Sequence, residues 1–76
     1  MNMERTILRN LDQRGGLMPV GTLWSECSLD EGGASYSAFK KALTDLELKG
    51  QVVVVIGEDR NKAKITDEGK ARLLEN

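Results

Sequence analysis

Residues 50–66 read GQVVVVIGEDRNKAKIT, and this stretch decides the fold. A run of β-branched residues from Val52 to Ile56 is followed by Gly57 and by four polar residues, which separate it from a shorter run over 62–66. Two runs of β-forming residues around a polar turn predict a β-hairpin. Because the segment before Gly50 has helical spacing, we expect the chain to pass directly from a helix into this hairpin.

The two faces of the hairpin follow from the alternation of side chains along a strand. A turn of two or four residues assigns the same side chains to each face. We expect Val52, Val54 and Ile56 to share the core face with Ala63 and Ile65. The opposite face is then basic and half apolar. It carries Val53, Val55, Lys62, Lys64 and Thr66.

A first helix is predicted over about residues 3–13. Apolar side chains recur there at helical spacing, from Met3 to Leu11. Asn2 is suited to cap the start of this helix, and Gly15 is suited to a left-handed stop. The next two residues, Leu17 and Met18, are expected to be extended because they precede Pro19.

The second helix is predicted from about Val20 to Cys27, with Val20, Leu23, Trp24 and Cys27 on one stripe. We interpret Trp24 as a core anchor and Cys27 as a small buried hydrophobe. Residues 28–34 contain two consecutive glycines and two acids, which predicts a turn.

The third helix has the clearest pattern. Ser35 is a good N-cap, and Lys49-Gly50 is suited to end the helix. The predicted core face carries Phe39, Ala42, Leu43 and Leu46. The opposite face is expected to carry Tyr36, Ser37, Lys40, Lys41, Thr44 and Glu47.

A short fourth helix is predicted over residues 67–75, with Thr66 as its cap. We expect Leu73 and Leu74 to dock this helix against the core. The predicted order is helix, short strand, helix, helix, strand, strand, helix. This order indicates the α+β class, because no strand-helix-strand crossover is long enough for a parallel sheet.

Length and composition restrict the classes of protein that this chain can represent. With 76 residues, of which 39% are hydrophobic and 30% charged, we expect one folded domain over residues 1–76. No apolar run reaches the roughly 18 residues that span a bilayer, and no secretion signal is evident, so a cytoplasmic location is expected without a membrane partner. A single cysteine excludes an internal disulfide.

The sequence argues against an enzyme. It has no histidine and one cysteine, and no carboxylate pair lies in a recognisable pocket-forming context. The glycine pairs at 15–16 and 32–33 lack the flanking strand and the ending of a phosphate-binding loop. We therefore expect no catalytic residue, no metal, no cofactor and no small-molecule substrate.

Two segments carry a resemblance to a known superfamily. Residues 39–52, FKKALTDLELKGQV, resemble the recognition-helix end of MarR-like and PadR-like winged helix-turn-helix regulators. Residues 63–73, AKITDEGKARL, resemble the second wing strand of these regulators and the entry to their next helix. The resemblance implies a winged helix-turn-helix fold, with a three-helix core, a C-terminal hairpin wing and a short fourth helix. It specifies the superfamily and no single member.

The resemblance also implies binding of duplex DNA by a small transcription regulator or accessory factor. The third helix is then expected to enter the major groove while the wing reaches the backbone or the minor groove. The implied contacts on the third helix are Tyr36, Ser37, Lys40, Lys41 and Thr44. Those implied on the wing are Arg60, Asn61, Lys62 and Lys64.

An alternative is a winged helix that binds protein, as an interaction module or a homodimeric adaptor without DNA binding. The outer face of the third helix has no Arg, Asn or Gln for bidentate base reading, and Glu58 and Asp59 stand beside Arg60. The pI of about 5.4 is acidic for a nucleic-acid binder. Val53 and Val55 are either covered by the first or fourth helix or free to meet a partner, including a second copy across the hairpin edge.

Overall fold

The computed structural model describes residues 2–75, which form four helices and a three-stranded antiparallel sheet of the α+β class. The elements are α1 (Met3–Gln13), β1 (Leu17–Pro19), α2 (Val20–Asp30), α3 (Tyr36–Leu48), β2 (Val52–Val55), β3 (Lys62–Ile65) and α4 (Asp67–Leu74). The strand order is β1-β3-β2. The predicted element order is thereby confirmed, and β1 joins the hairpin as a third strand.

The first helix starts and ends where the sequence predicts. The side chain of Asn2 accepts a hydrogen bond from the Arg5 backbone N–H at 3.2 Å, which satisfies one of the unpaired donors of the first turn. Gly15 and Gly16 then follow with φ of 83° and 89°, which only glycine adopts readily. The Gly16 N–H donates to the Leu11 carbonyl at 2.7 Å and closes the helix end.

Helix α2 continues to Asp30, three residues beyond the predicted end at Cys27. Part of the predicted turn, residues 28–30, is therefore helical. Side chains of α1 hold this last turn, since Asn10 Nδ2 donates to Asp30 Oδ2 at 2.8 Å. The helix ends at Asp30, and Gly32 and Gly33, which come after the C-cap residue Glu31, have positive φ.

Helix α3 has the predicted bounds and the predicted core face. The Ser35 hydroxyl accepts a hydrogen bond from the Ala38 N–H at 3.1 Å. Gly50 has a φ of 74°, and the following Gln51 N–H donates to the Leu46 carbonyl at 3.0 Å. These features allow the chain to turn directly from the helix into β2.

The hairpin has the predicted faces with one correction. Val52 pairs with Ile65 and Val54 with Ala63 on the core face, whereas Val53 pairs with Lys64 and Val55 with Lys62 on the outer face. Ile56, expected on the core face, is 76% exposed. The strand ends at Val55, and residues 56–61 form a longer connection than the predicted turn, so Ile56 is no longer held over the core.

Val53 and Val55 remain 49% and 47% exposed. Coverage by the chain's own helices, one of the two expectations for this pair, is therefore incomplete. The outer face of the sheet is open, and each valine lies beside a lysine of β3.

Helix α4 docks through one leucine rather than two. Leu73 packs against the core, but Leu74 is 86% exposed, so the prediction for Leu74 is wrong. The close approach of α4 occurs at Gly69, where an added Cβ would overlap the Gln51 carbonyl oxygen. The helix therefore lies backbone to backbone on the chain just before β2.

One hydrophobic cluster joins α1, α2, α3 and the inner face of the sheet. Its buried members are Ile7, Leu8, Leu11, Met18, Leu23, Cys27, Phe39, Ala42, Leu43, Leu46, Val52, Ala63 and Ile65. Because α3 contributes four of these side chains, its opposite face is turned to solvent.

Candidate nucleic-acid interface

The solvent face of α3 carries four of the residues assigned to DNA contact. Ser37, Lys40, Lys41 and Thr44 are all exposed. Among the residues the structure describes, neither lysine forms an ion pair with a carboxylate. Their ammonium groups are therefore available to an external anion.

Tyr36 has a different environment from the other α3 residues. Its ring lies 5.4 Å from that of Trp24 in an edge-to-face arrangement and 6.0 Å from that of Phe39. Trp24 and Phe39 are themselves 5.5 Å apart. This aromatic cluster joins α2 to the start of α3 and fixes half of Tyr36, while the other half is exposed.

The loop between the hairpin strands lies against the beginning of α2. The Asn61 carbonyl accepts a hydrogen bond from the Val20 N–H at 2.9 Å. Arg60 borders an open groove of about 460 Å³ whose other wall includes Gly21 and Thr22. An added Cβ at Gly57 would overlap the Arg60 carbonyl oxygen, so this tight loop requires glycine there.

Lys62 and Lys64 are exposed on the outer face of the sheet. Helix α3 contributes to the core beneath the inner face. The structure therefore separates these two lysines from the outward face of α3 and places them beside Val55 and Val53 instead.

Helix α2 links the residues that the structure does bring near one another. Trp24 contacts Tyr36 of α3, and the first turns of α2 border Arg60. Two polar residues that the sequence analysis did not select, Thr22 and Ser25, are exposed and line the same groove as Arg60. Their position off the apolar stripe of α2 is the signal that could have identified them.

Acidic side chains near the end of α2 are held by α1. The contacts are Arg14 Nη2 to Glu26 Oε1 at 2.9 Å, Asn10 Nδ2 to Asp30 Oδ2 at 2.8 Å, and Thr6 Oγ1 to Glu31 Oε1 at 3.0 Å. Residues 15–39 contain no lysine or arginine, and the negative charges of Glu26, Asp30 and Glu31 within them are thus directed toward α1. The net charge of −1 of the whole chain therefore differs from the local charge on the outer face of α3, which is positive at Lys40 and Lys41.

Glu4 connects three helices of the scaffold. Its Oε1 accepts hydrogen bonds from Lys49 Nζ at 2.8 Å and from Arg72 Nη1 at 2.7 Å. These bonds, first that of Lys49 and then that of Arg72, lower the pKa of Glu4 below its ordinary value. The charges of Lys49 and Arg72 are thus occupied within the fold.

Cys27 is fully buried between α2 and the core. Burial, with smaller contributions from the negative charges of Asp30, Glu31 and Glu26, raises the pKa of its thiol to about 12. The thiol is therefore protonated at neutral pH, which makes it a poor nucleophile and a poor metal ligand.

Across residues 2–75, no three His, Cys, Asp or Glu side chains come together as a metal-binding group. None of the helices there combines the length and apolar character that a bilayer crossing requires.

Comparison of the chain with protein-family models, with curated proteins and with solved structures finds no match.

Proposed function

We propose that the chain is a winged helix-turn-helix domain that binds duplex DNA through the outer face of α3. The arrangement supports this assignment. Helices α2 and α3 are joined by a short connection over residues 31–35, and α3 leads directly into an antiparallel hairpin whose inner face packs on the helices. This is the layout that the resemblance of residues 39–52 and 63–73 implies.

The observation that carries the proposal is the solvent face of α3. It presents the adjacent cations Lys40 and Lys41 with the hydroxyls of Ser37 and Thr44, and its apolar side is fully occupied by the core. An α-helix fits the major groove, where lysine binds phosphate or guanine and hydroxyls bind base edges or phosphate. Phosphate contact supplies most of the affinity of such a surface.

Arg60 and Asn61 extend the proposed surface from the other side of α2. The hairpin loop is held at the start of α2 by the bond between Asn61 and Val20, so Arg60 approaches DNA together with Thr22 and Ser25 rather than at the end of a projecting wing. Lys62 borders a groove of about 240 Å³ together with Arg60, whereas Lys64 lies farther along β3 and contributes at most a long-range field.

The chemistry of the α3 face predicts weak sequence discrimination. It lacks the Arg, Asn and Gln side chains that make bidentate contacts with bases. We therefore propose a regulator or accessory factor whose binding is dominated by the DNA backbone and falls steeply with salt.

Fluorescence anisotropy with a labelled random duplex of about 20 base pairs, at about 50 mM and about 200 mM salt, tests the proposal. The double variant K40E/K41E is expected to lose about tenfold or more in affinity and to reduce the magnitude of the salt slope by about 2. The matched control is R9E/K70E, which has the same net charge and alters exposed residues of α1 and α4. The variant K62E/K64E separately measures the contribution of the outer sheet face.

Absence of wild-type binding at the lower salt concentration would refute the proposal. An equal loss of affinity in K40E/K41E and in R9E/K70E would also refute it, because binding would then follow net charge and not the α3 face.

A protein-interaction domain is the second candidate function. The half-exposed Val53 and Val55 favour it, since an apolar sheet face is ordinarily covered. If the chain associates with itself or with a protein partner while its binding to DNA is undetectable, the protein-interaction function is favoured over DNA binding.

A further inference from the structure

Strand β2 has one side without a partner strand among residues 2–75, because the sheet order is β1-β3-β2. The Thr66 N–H donates to the Gln51 carbonyl at 3.1 Å. In an antiparallel ladder the bonding direction alternates, so Val53 and Val55 bond to β3, whereas the N–H and C=O of Val52 and Val54 point away from it. Val52 is only 2% exposed, so Val54 is the residue of this pair whose backbone groups are accessible on that side.

The two edges of the sheet differ in their protection against strand addition. The edge formed by β1 contains Pro19, which has no N–H to donate. The edge formed by β2 contains neither proline nor charge from Gln51 to Gly57. Proteins commonly protect exposed edges with lysine or proline, and an edge without them is competent to pair with another strand.

The outer face beside this edge is also open. A groove of about 600 Å³ runs over Val53 and Val55 and is bordered by Lys64 and Lys70. No segment of the described chain fills it.

We propose that the β2 edge pairs antiparallel with the β2 edge of a second copy of this chain, about a two-fold axis at Val54. Val54 is the middle residue of the uncharged run 52–56. In this register the bonding groups of Val54 meet those of its counterpart, and Val53 lies opposite Val55 of the second copy. A shift by one residue would place outer side chains opposite inner ones.

A register centred on Val53 would require Val52 of each copy to bond Val54 of the other. Val52 is 2% exposed, so its N–H and C=O are not accessible to a second strand. The register centred on Val54 makes its central bonds through Val54 alone, and it brings the exposed Ile56 next to the second copy.

A second copy suits this edge because self-pairing brings no like charges together. Only uncharged side chains face each other, and four half-exposed valines join into one apolar strip. The β3 lysines of the two copies would be about 14 Å apart, three strand spacings, which exceeds the screening length of about 8–10 Å at ordinary salt.

Sedimentation of the full chain tests the association, from about 10 µM to about 1 mM, because so small an interface belongs to the weak class below roughly 1,200 Å². We expect a reversible monomer–dimer equilibrium. A monomer across the whole range overturns the proposal. The experiment contains no DNA, so its failure leaves the proposed DNA binding unaffected.

Charge variants test the surface and its register. V53E/V55E places carboxylates opposite each other across the axis, while each remains beside Lys64 or Lys62 of its own copy. We expect its dimer dissociation constant to rise about tenfold or more. V53E/V55K loses the same valines but places opposite charges across the axis, and its dissociation constant is expected to lie well below that of V53E/V55E. Equal dissociation constants for the two folded variants overturn the register.

Disulfide trapping provides a second measurement of the register. Residues 53 and 55 of the two copies form a non-hydrogen-bonded pair, whose Cα atoms lie about 4.5 Å apart and can be bridged. A mixture of V53C and V55C is expected to cross-link under oxidation, whereas either variant alone is not. Cross-linking that is absent from the mixture, or equally strong in a single variant, overturns this pairing.

Discussion

The contact of α4 with the chain before β2 makes Gly69→Ala a sensitive test of the fold. A Cβ at residue 69 would overlap the Gln51 carbonyl oxygen and approach Ile65 Cγ1 to 2.7 Å. The carbonyl is backbone and already accepts the Thr66 N–H, so it cannot move without disturbing the hairpin. Relief of the overlap therefore requires α4 to shift away from Gln51.

The expected net effect combines two opposing terms. Alanine in a helix is favoured over glycine by about 1 kcal/mol. Overpacking costs about 1–3 kcal/mol, and weakening the bonds that Gln51 makes with Thr66 and Arg72 costs about 1 kcal/mol more. The free energy of unfolding should fall by about 1–3 kcal/mol, a large part of the roughly 3–5 kcal/mol expected for so small a core.

Thermal and urea unfolding, followed by circular dichroism and by the fluorescence of Trp24, measure this change. The midpoint temperature of Gly69→Ala should fall by about 5–20 °C. Gly21→Ala is the matched control, because Gly21 is also helical but has no neighbouring atom within 4 Å of an added Cβ. That substitution should leave stability unchanged or raise it by up to about 1 kcal/mol.

Replacement of glycine by alanine is thus expected to lower the free energy of unfolding at residue 69 and to leave it unchanged or raise it at residue 21. If Gly69→Ala is as stable as the wild type or more stable, α4 does not lie against Gln51 and the described docking of the last helix is wrong.

Two further predictions concern ionisable groups. The lowered pKa of Glu4 means that its bonds to Lys49 and Arg72 stabilise the fold above its ordinary pKa of 4.5 and that this contribution is lost as pH falls through the lowered value. Glu4→Gln should therefore reduce the free energy of unfolding by about 1 kcal/mol at pH 7. The reduction should become progressively smaller below pH about 4.5. Urea titrations that show an equal loss at every pH would contradict this prediction. Burial raises the pKa of the Cys27 thiol to about 12. The thiol should therefore resist a disulfide reagent at pH about 8 until urea unfolds the chain. Rapid labelling of the native protein would contradict this prediction and show that the core around Cys27 is open.

Predictions that depend on local pattern agree with the structure. The caps at Asn2, Ser35 and Thr66 each accept the expected backbone N–H, because capping involves groups only a few residues apart. The core and outer faces of the valine run within β2 were also predicted correctly. Successive side chains of a strand point to opposite faces, so this assignment depends only on neighbouring residues.

Departures occur where distant contacts decide. The last turn of α2 is stabilised by α1, through the bond from Asn10 to Asp30, and local turn signals at residues 28–30 did not reveal it. Ile56 lies one residue beyond the end of β2, and Leu74 is the last residue of α4, so neither apolar side chain is held over the core.

The candidate site was also only partly accessible from the sequence. Periodicity identified the outward residues of α3, but it could not show that Tyr36 packs on Trp24. It grouped Arg60 with Lys62 on one wing, and the structure has both residues lining a groove of about 240 Å³. It could not show that Arg60 also lies beside α2.

The sequence by itself determined the order of the elements, their caps and the two faces of the hairpin, because these depend on groups separated by a few residues. Only the tertiary structure decided which charged residues share a surface and that β2 is left as an open edge. Those properties depend on how α1, α4 and β1 pack around the hairpin. Such packing joins residues that are far apart in the sequence, because the Ile65 N–H donates to the Gly16 carbonyl at 2.8 Å across almost fifty positions of the chain.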